Sequence, residues 1–438
     1  MRAIALADSD SYAKWGAAML SRLPAGWDAE LIIVRTPKLP SAAQLATALS
    51  STSIAPASVR VLDFDDAVAR LHGERPELVV VATIGPLADI AIAAVLGVGR
   101  GGDNSWRPVI VSGMPGIAFP ERRRALVYRS QADVVVLHSL AEVRRFGVIA
   151  ERNSIDQEFA LSTLPFLLDG QRGAGTDVIF AAQALVPPRL DQRVRLLEWL
   201  AEAARREPGR RVVVKVRAVA SEQQTHAERF DYAALLEDYL ADAPPNLVVE
   251  GGPMHEHLAR AAGLVTVSST AAIEAIAHGV PVLVLDDFGV SHELINEVFE
   301  GSGLLGGRAA LLAGDFRLAE PEWLADNYFH GAEADTWLGI VEAKVQLAAS
   351  GRLPARTRIA RGGGGALRRA WDRRRALGRY DRSALGLVAL VIGTPVRAAV
   401  LAIGSLASIT SDAGRQPLAL ADAATPLERD RQQSRRTP

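Results

Sequence analysis

The segment Leu264–Leu285 combines residue types that can bind an anion. It begins with an apolar run typical of a buried parallel strand, and a predicted helix, Ala271–His278, follows a short gap. Three hydroxyl residues fill that gap: Ser268, Ser269 and Thr270. A strand-to-helix turn of this kind gathers hydroxyl groups, backbone N–H groups and the positive end of a helix dipole around one point. That combination suits a phosphate or another anion.

Glu274, one turn into this predicted helix, can accept hydrogen bonds from the hydroxyl groups of a sugar. The alternative is that Ser269 or Thr270 only caps the helix, as such residues do in most strand-to-helix units.

Polar and glycine residues also follow the other apolar runs. Ligands of open parallel sheets bind at the carboxyl ends of the strands, so these positions are candidates for a site. They are Asp8, Asp10, Lys14, Gly85, Ser112 and Gly113 in the first half, and Gln183, Arg217, Gly252 and His255 in the second. Loops are commonly polar for structural reasons, which is the alternative at each position.

In the first half, apolar runs alternate with helical stretches, which indicates a parallel, doubly wound sheet. The predicted strands are Ile4–Ala7, Leu31–Val34, Val59–Leu62, Leu78–Ala82, Val109–Val111 and Val134–Leu137. The predicted helices are Tyr12–Arg22, Ala42–Ser50, Asp65–Leu71, Leu87–Leu96 and Glu121–Arg129.

The alternation starts again after a polar, glycine-bearing stretch, Asp169–Thr176, which is typical of an interdomain linker. The predicted elements there are strands Val178–Ala181, Val212–Val216, Leu247–Glu250, Leu264–Val267 and Val282–Leu285, and helices Leu190–Arg206, Tyr232–Asp242, His257–Ala262, Ala271–His278 and one near Glu293–Phe299. We therefore expect an α/β protein with two Rossmann-like, doubly wound parallel-sheet domains, residues 1–170 and 176–349, facing a central cleft.

Composition excludes several classes of protein. The chain has 438 residues, a formal net charge of −1 and no cysteine. The charge argues against a nucleic-acid partner, and the lack of cysteine excludes disulfides and thiolate metal sites. Charged residues interrupt the first apolar run too early for a signal peptide, so a cytoplasmic location is expected.

Residues 350–410 have a different composition. An arginine-rich stretch with interleaved aromatic residues, 361–382, precedes the uncharged run Ser383–Val396, which is too short to span a bilayer. Attachment of 361–409 to an anionic membrane surface is one expectation, and packing on the N-terminal domain is the other. Residues 411–438 are predicted to be disordered.

The second half resembles the donor domain of a GT-B glycosyltransferase. The resemblance rests on Phe180–Gln183, on Val212–Arg217, and on Ser268, Ser269 and Thr270 followed by Glu274 and Gly279–Pro281. The pattern is similar to that of capsule and polysialic acid transferases that use CMP-activated sugars. Over Met1–Ala349 the chain more closely resembles a group of uncharacterised actinobacterial glycosyltransferases.

This resemblance implies a metal-independent transfer from a nucleotide-sugar donor to a cell-envelope or capsular glycan, or to a lipid-linked acceptor. No cofactor or metal is expected. The donor would contact Ser268, Ser269, Thr270, Glu274, Lys215, Arg217, Gln183, His255 and Gly252. The acceptor would contact Lys14, Ser112, Gly113 and Gly85.

Asp8 and Asp10 are the candidate bases, and Asp10 is preferred, with an N-cap role as its alternative. The CMP-sugar transferases carry a His-Pro pair where this chain has Lys215-Val216-Arg217, so the donor base stays open. Two other functions also remain: a nucleotide-sugar epimerase and a non-catalytic nucleotide- or glycan-binding module.

Overall fold

A computed structural model describes residues 1–97, 106–164, 167, 175–216, 230–359 and 365–393. Arg217, residues 169–174 of the predicted linker and residues 394–438 therefore lie outside the described part of the chain, together with the predictions made for them.

The first domain is built on a seven-stranded parallel sheet in the order β3-β2-β1-β4-β5-β6-β7. Its strands are β1 (Arg2–Ala7), β2 (Asp28–Val34), β3 (Arg60–Leu62), β4 (Leu78–Ala82), β5 (Val109–Gly113), β6 (Val134–Leu137) and β7 (Phe159–Leu161). Its helices are α1 (Asp10–Ser21), α2 (Ala42–Leu49), α3 (Phe64–Glu74), α4 (Gly85–Val95), α5 (Arg123–Val127) and α6 (Leu140–Arg152).

The second domain is built on a six-stranded parallel sheet in the order β10-β9-β8-β11-β12-β13. Its strands are β8 (Asp177–Ala181), β9 (Val212–Lys215), β10 (Leu247–Glu250), β11 (Ala261–Thr266), β12 (Val282–Leu285) and β13 (Leu305–Gly306). The remaining helices are α7 (Leu190–Arg206), α8 (Tyr232–Tyr239), α9 (Met254–Leu258), α10 (Ala271–Ala277), α11 (Arg308–Ala313), α12 (Pro321–Asp326), α13 (Trp337–Ala349) and α14 (Ala366–Leu377).

The central strands are apolar along their whole length because helices cover both faces of each sheet. Strand β4, for example, is buried at all five residues, and its side chains are divided between two core clusters on opposite faces of the sheet. The predicted fold class, two doubly wound parallel-sheet domains, is confirmed.

Two predicted helices in the second half are wrong. His257–Ala262 is not one helix, because α9 ends at Leu258 and β11 begins at Ala261, where the chain pairs with β8. Tertiary pairing there overrides the helical preference of the alanines. Near Glu293–Phe299 only a short 3₁₀ turn forms, since Ile295 adopts a positive φ of 60°.

The sequence analysis also missed α6 and β7 in the first domain. The helix α6 begins at the cap residue Ser139, whose hydroxyl accepts a hydrogen bond from the N–H of Glu142 at 3.0 Å. A serine with a glutamate three residues later is a recognisable helix start.

The last helices return to the first domain. Trp337, Val341 and Val345 of α13 are buried in the core cluster that contains β1, β4 and β5. Ala376 and Leu377 of α14 join the cluster on the other face of the same sheet.

The arginine-rich stretch at 361–382 was expected either to meet lipid or to pack on the N-terminal domain. In its described part, Arg373 pairs with Asp65 at 2.7 Å, and Arg382 pairs with Asp63 and Asp66. Packing on the first domain is therefore observed for α14. Within the described residues, no helix is long and apolar enough to span a membrane.

A buried carboxyl group connects the two domains. Glu142 of α6 accepts hydrogen bonds from the N–H of Ala118 at 2.7 Å and from the hydroxyl of Tyr328 in the second domain at 2.7 Å. Burial raises the pKa of the Glu142 carboxyl, and these hydrogen bonds oppose that rise. Glu142 thus fixes the loop after β5 to the second domain.

Tyr328→Phe is expected to lower the free energy of unfolding by about 1–3 kcal/mol, because Glu142 loses a partner inside the protein. Urea unfolding measures this. Tyr239→Phe is the matched control, since Tyr239 is 53 % exposed. An equal, negligible effect of both variants would contradict the role given to this contact.

Candidate functional site

The first rim of the site lies where the order of the first sheet reverses, between β1 and β4. Asp8 follows β1 and is 0 % exposed, and both of its carboxyl oxygens lie 3.4 Å from the N–H of Ile84, which follows β4. Burial raises the pKa of Asp8 to about 7, and the Ile84 N–H and the charges of Lys38 and Arg129 oppose that rise. A carboxyl with this pKa can exchange a proton near neutral pH.

Asp10 is the more accessible of the two candidate bases. It is half-buried and is the first residue of α1. The N-cap position belongs to Ser9, so the alternative that Asp10 caps the helix is wrong. Lys14, one turn further along α1, is also half-buried.

A buried guanidinium organises the loops behind Asp8. Arg129 is 2 % exposed, and its Nη2 donates to the phenol oxygen of Tyr12 at 3.1 Å and to the carbonyl of Thr83 at 3.3 Å. Its Nε donates to the hydroxyl of Ser112 at 3.1 Å and to the carbonyl of Gly113 at 3.2 Å. One cation therefore joins the carboxyl ends of β4 and β5 to α1.

The predicted acceptor residues Ser112 and Gly113 are buried in this structure. The Ser112 hydroxyl donates to the carbonyl of Val81 at 2.8 Å while it accepts from Arg129. A side chain at Gly113 would overlap the indole of Trp15. Both residues thus hold the first rim together from inside.

Gly85 has a similar packing role. It begins α4, directly after the β4 turn, and a side chain there would overlap the ring of Tyr128. The residue type at this position is therefore set by the close approach of the ring.

The Trp15 indole is itself fixed by a neutral histidine. Trp15 Nε1 donates to His138 Nε2 at 2.8 Å, so His138 Nδ1 carries the proton and donates to the carbonyl of Ser162 at 2.6 Å. Burial lowers the pKa of His138 to about 4, which keeps the ring neutral. This pair positions α1, the helix that carries Asp10 and Lys14.

The loop after β2 also reaches Asp8. The hydroxyl of Thr36 donates to the carbonyl of Asp8 at 3.2 Å and accepts from the N–H of Lys38 at 3.1 Å. Lys38 is half-buried, and its charge lowers the pKa of Asp8.

The second rim lies at the corresponding reversal in the second sheet, between β8 and β11. Gln183 Oε1 accepts from the N–H and from the hydroxyl of Ser268, both at 3.0 Å. This side chain therefore joins the loop after β8 to the hydroxyl turn after β11.

The hydroxyl turn is partly satisfied by its own groups. Ser269 N–H donates to Thr266 Oγ1 at 3.1 Å, and Ala271 N–H donates to Ser269 Oγ at 3.2 Å. Thr270 is exposed and its side chain makes no capping hydrogen bond, and Glu274 is half-buried. An anion at this turn would therefore meet the Ser269 and Thr270 hydroxyls rather than a fully open set of N–H groups.

Three further predicted donor residues, Lys215, Gly252 and His255, lie at the same edge of the second sheet. Lys215 ends β9 and is 7 % exposed, and its ammonium donates to the carbonyl of Val216 at 2.8 Å. Gly252 follows β10 with a positive φ of 92° that favours glycine. His255 is exposed on α9, and the buried His257 Nε2 lies 2.7 Å from the carbonyl of Gly251.

The two rims face each other. Gly116, in the loop after β5, approaches the hydroxyl turn so closely that an added Cβ would lie 3.2 Å from Thr270 Cγ2. Gly116 has a positive φ of 81°, which an L side chain adopts at a cost. The carboxyl ends of both sheets thus meet where loops 113–119 and 268–271 touch.

Three residues of the first rim were missed by the sequence analysis: Arg129, Lys38 and Thr36. Lys38 and Thr36 follow β2, so the rule applied to other strands was sufficient to find them. Arg129 lies beyond the end of α5 and reaches the rim only through tertiary packing. No group of three or more His, Asp or Glu side chains is arranged to hold a metal ion in the described residues.

Two Rossmann-like domains with facing carboxyl edges, and a last helix that returns to the first domain, define the GT-B class of proteins. Residues 3–344 match the family described as "Putative glycosyltransferase (DUF6716)", and the chain belongs to this family. No curated protein sequence is detectably similar to it.

Several solved structures are similar to this chain at low sequence identity. A UDP-N-acetylglucosamine 2-epimerase is 13 % identical with a TM-score of 0.50, over 83 % of this chain and 99 % of that chain. The epimerase from Neisseria meningitidis bound to UDP-GlcNAc is 13 % identical with a TM-score of 0.47, over 80 % and 100 %. UGT2 of Phytolacca americana, complexed with UDP-2-fluoro-glucose and pterostilbene, is 12 % identical with a TM-score of 0.40, over 81 % and 94 %.

The pKa of Asp8 makes a prediction about stability. The folded protein binds the proton of the Asp8 carboxyl more tightly than the unfolded chain does. The contribution of this proton to the free energy of unfolding is therefore complete below pH 4 and is lost as the pH rises through about 7. Between pH 5 and pH 8, the free energy of unfolding of Asp8→Asn should therefore gain about 2–3 kcal/mol relative to wild type.

Urea titrations at several pH values measure this gain, with Asp238→Asn as the control because Asp238 is exposed on α8. A constant difference between Asp8→Asn and wild type across this range would show that Asp8 titrates as an ordinary carboxyl.

Proposed function

We propose that the chain transfers a sugar from a nucleotide-sugar donor to a cell-envelope or capsular glycan, or to a lipid-linked acceptor. Membership of the glycosyltransferase family supports transfer as the reaction class. The observation that carries the proposal is the contact of the loop at Gly116 with the turn at Thr270. This contact supports one shared site between the first rim and the second rim.

In this proposal the second rim holds the donor. The Ser269 and Thr270 hydroxyls bind the donor phosphates, Glu274 accepts from ribose hydroxyls, and Gln183 keeps Ser268 and its turn in place. Lys215, Arg217, Gly252 and His255 complete the donor side. Hydroxyl donors and nearby cations stabilise the charge that develops on the departing phosphate.

The first rim activates the acceptor. Asp10 is the proposed base because its side chain is only half-buried, whereas Asp8 is fully buried. Asp8 ionises near pH 7 beside the charges of Arg129 and Lys38, and this ionisation changes the local charge that acts on Asp10. Lys14 contacts the acceptor, while Ser112, Gly113 and Gly85 shape the rim from inside.

A thermal-shift comparison of CMP, UDP, GDP and ADP and their sugar conjugates tests the donor side. One nucleotide class should raise the melting temperature, because a ligand that binds only the native state stabilises it. Ser269→Ala should reduce that shift, and Ser58→Ala, at an exposed serine before the amino end of β3 in the first domain, should leave it unchanged. No shift with any nucleotide, in a folded sample, would favour a non-catalytic module.

Nucleotide release from that donor tests the base. Asp10→Asn should lower turnover by about 10²–10⁴-fold with little effect on donor binding, as expected for loss of a general base. Asp8→Asn should reduce turnover less and should abolish the pH dependence of the rate near 7. The reverse ranking of the two variants would transfer the base role to Asp8.

A further inference from the structure

A short helix near the end of the described chain has an inverted packing pattern. Residues 384–393, called here the apolar helix, follow α14 and its 3₁₀ turn. Three of its four small residues face the protein, whereas its large apolar residues are exposed. A helix on the surface of a water-soluble protein normally buries its large apolar residues and exposes its polar ones.

Three small residues at helical spacing form the inner face. Ala389 is 0 % exposed and packs with Ala370 and Trp371 of α14. A side chain at Gly386 would overlap Asp381, and one at Gly393 would overlap Trp371. The inner face therefore depends on the absence of side chains, and the large residues cannot turn inward.

The outer face is a continuous apolar surface. Its exposed fractions are 50 % for Leu385, 52 % for Leu387, 50 % for Val388, 73 % for Val391 and 49 % for Ile392. An apolar surface of this kind, on one short helix, marks an interaction site.

Segment 365–393, which carries this face, has a net positive charge. Asp372 and Asp381 are the acidic residues of segment 365–393, and both are buried. Its exposed charged residues are all arginines: Arg368, Arg369, Arg375, Arg379 and Arg382. A second copy of the chain, packed by the same face, would bring these cations together, which disfavours self-association.

The segment that precedes the apolar helix is anchored close to the first rim. Gly378, in the 3₁₀ turn after α14, packs against Pro37, the residue before Lys38. Arg373 and Arg382 pair with Asp65 and Asp63 at the start of α3, on the same carboxyl edge of the first sheet. The tail is thus anchored beside the side of the site proposed for the acceptor.

We propose that the outer face of the apolar helix docks on an anionic lipid bilayer. Large apolar side chains can enter the interface between headgroups and acyl chains, and the surrounding arginines can meet the lipid phosphates. Only the connection to a lipid-linked acceptor rests on the proposed function; the docking surface does not.

Vesicle sedimentation of the full-length chain tests the docking surface without any assay of activity. The vesicles contain phosphatidylcholine with or without about 30 % phosphatidylglycerol. Wild type should sediment with the anionic vesicles and much less with the neutral ones. Val388→Gln with Val391→Gln should lower the bound fraction about tenfold, because the apolar contribution is lost.

Leu185→Gln with Leu318→Gln is the matched control, since these leucines are 54 % and 66 % exposed in the second domain. The control should bind vesicles like wild type. Both double variants should keep the wild-type melting temperature, because all four side chains are exposed.

Three results would overturn the proposal: no vesicle binding by wild type, equal binding by Val388→Gln/Val391→Gln, or a wild-type dimer that this variant converts to a monomer. The last result would assign the face to a second copy. A donor shift without vesicle binding would reject the docking surface alone, and vesicle binding without a donor shift would reject the proposed function alone.

Discussion

The first rim depends on one buried cation, the guanidinium of Arg129. Its donors reach carbonyl groups that follow β4 and β5 and the phenol of Tyr12 on α1. The backbone N–H and C=O groups in the loops at the ends of parallel strands need hydrogen-bond partners when they are buried. Arg129 supplies these partners, and its charge adds to the Ile84 N–H and the charge of Lys38 in opposing the rise that burial causes in the pKa of Asp8.

The two sheets use their order reversals in different ways. In the first, a carboxyl group lies between the ends of β1 and β4; in the second, the Gln183 amide bridges the ends of β8 and β11. The carboxyl suits proton transfer, and the neutral amide keeps negative charge away from a turn proposed to hold phosphate. Contacts at Gly116 and Glu142 keep the two rims together.

The strands and their post-strand residues were predictable because buried parallel strands are continuous apolar runs. The directions in which the side chains point could not be predicted from the sequence. Ser112 and Lys215 lie at the carboxyl ends of β5 and β9, yet both are buried and hydrogen-bonded to backbone carbonyl groups. Arg129 was not predicted because its partners are distant in sequence. The helix predicted at His257–Ala262 was wrong because pairing with β8 decides the local structure.

Product analysis distinguishes sugar transfer from epimerisation. A nucleotide sugar labelled with ¹³C in the sugar is incubated with the chain and an envelope lipid and glycan fraction, and the reaction products are examined by mass spectrometry. If the chain transfers sugar, the label should leave the nucleotide and appear on an acceptor in the wild-type reaction. Label that stays on the nucleotide, either unchanged or as an epimer of the sugar, would contradict transfer.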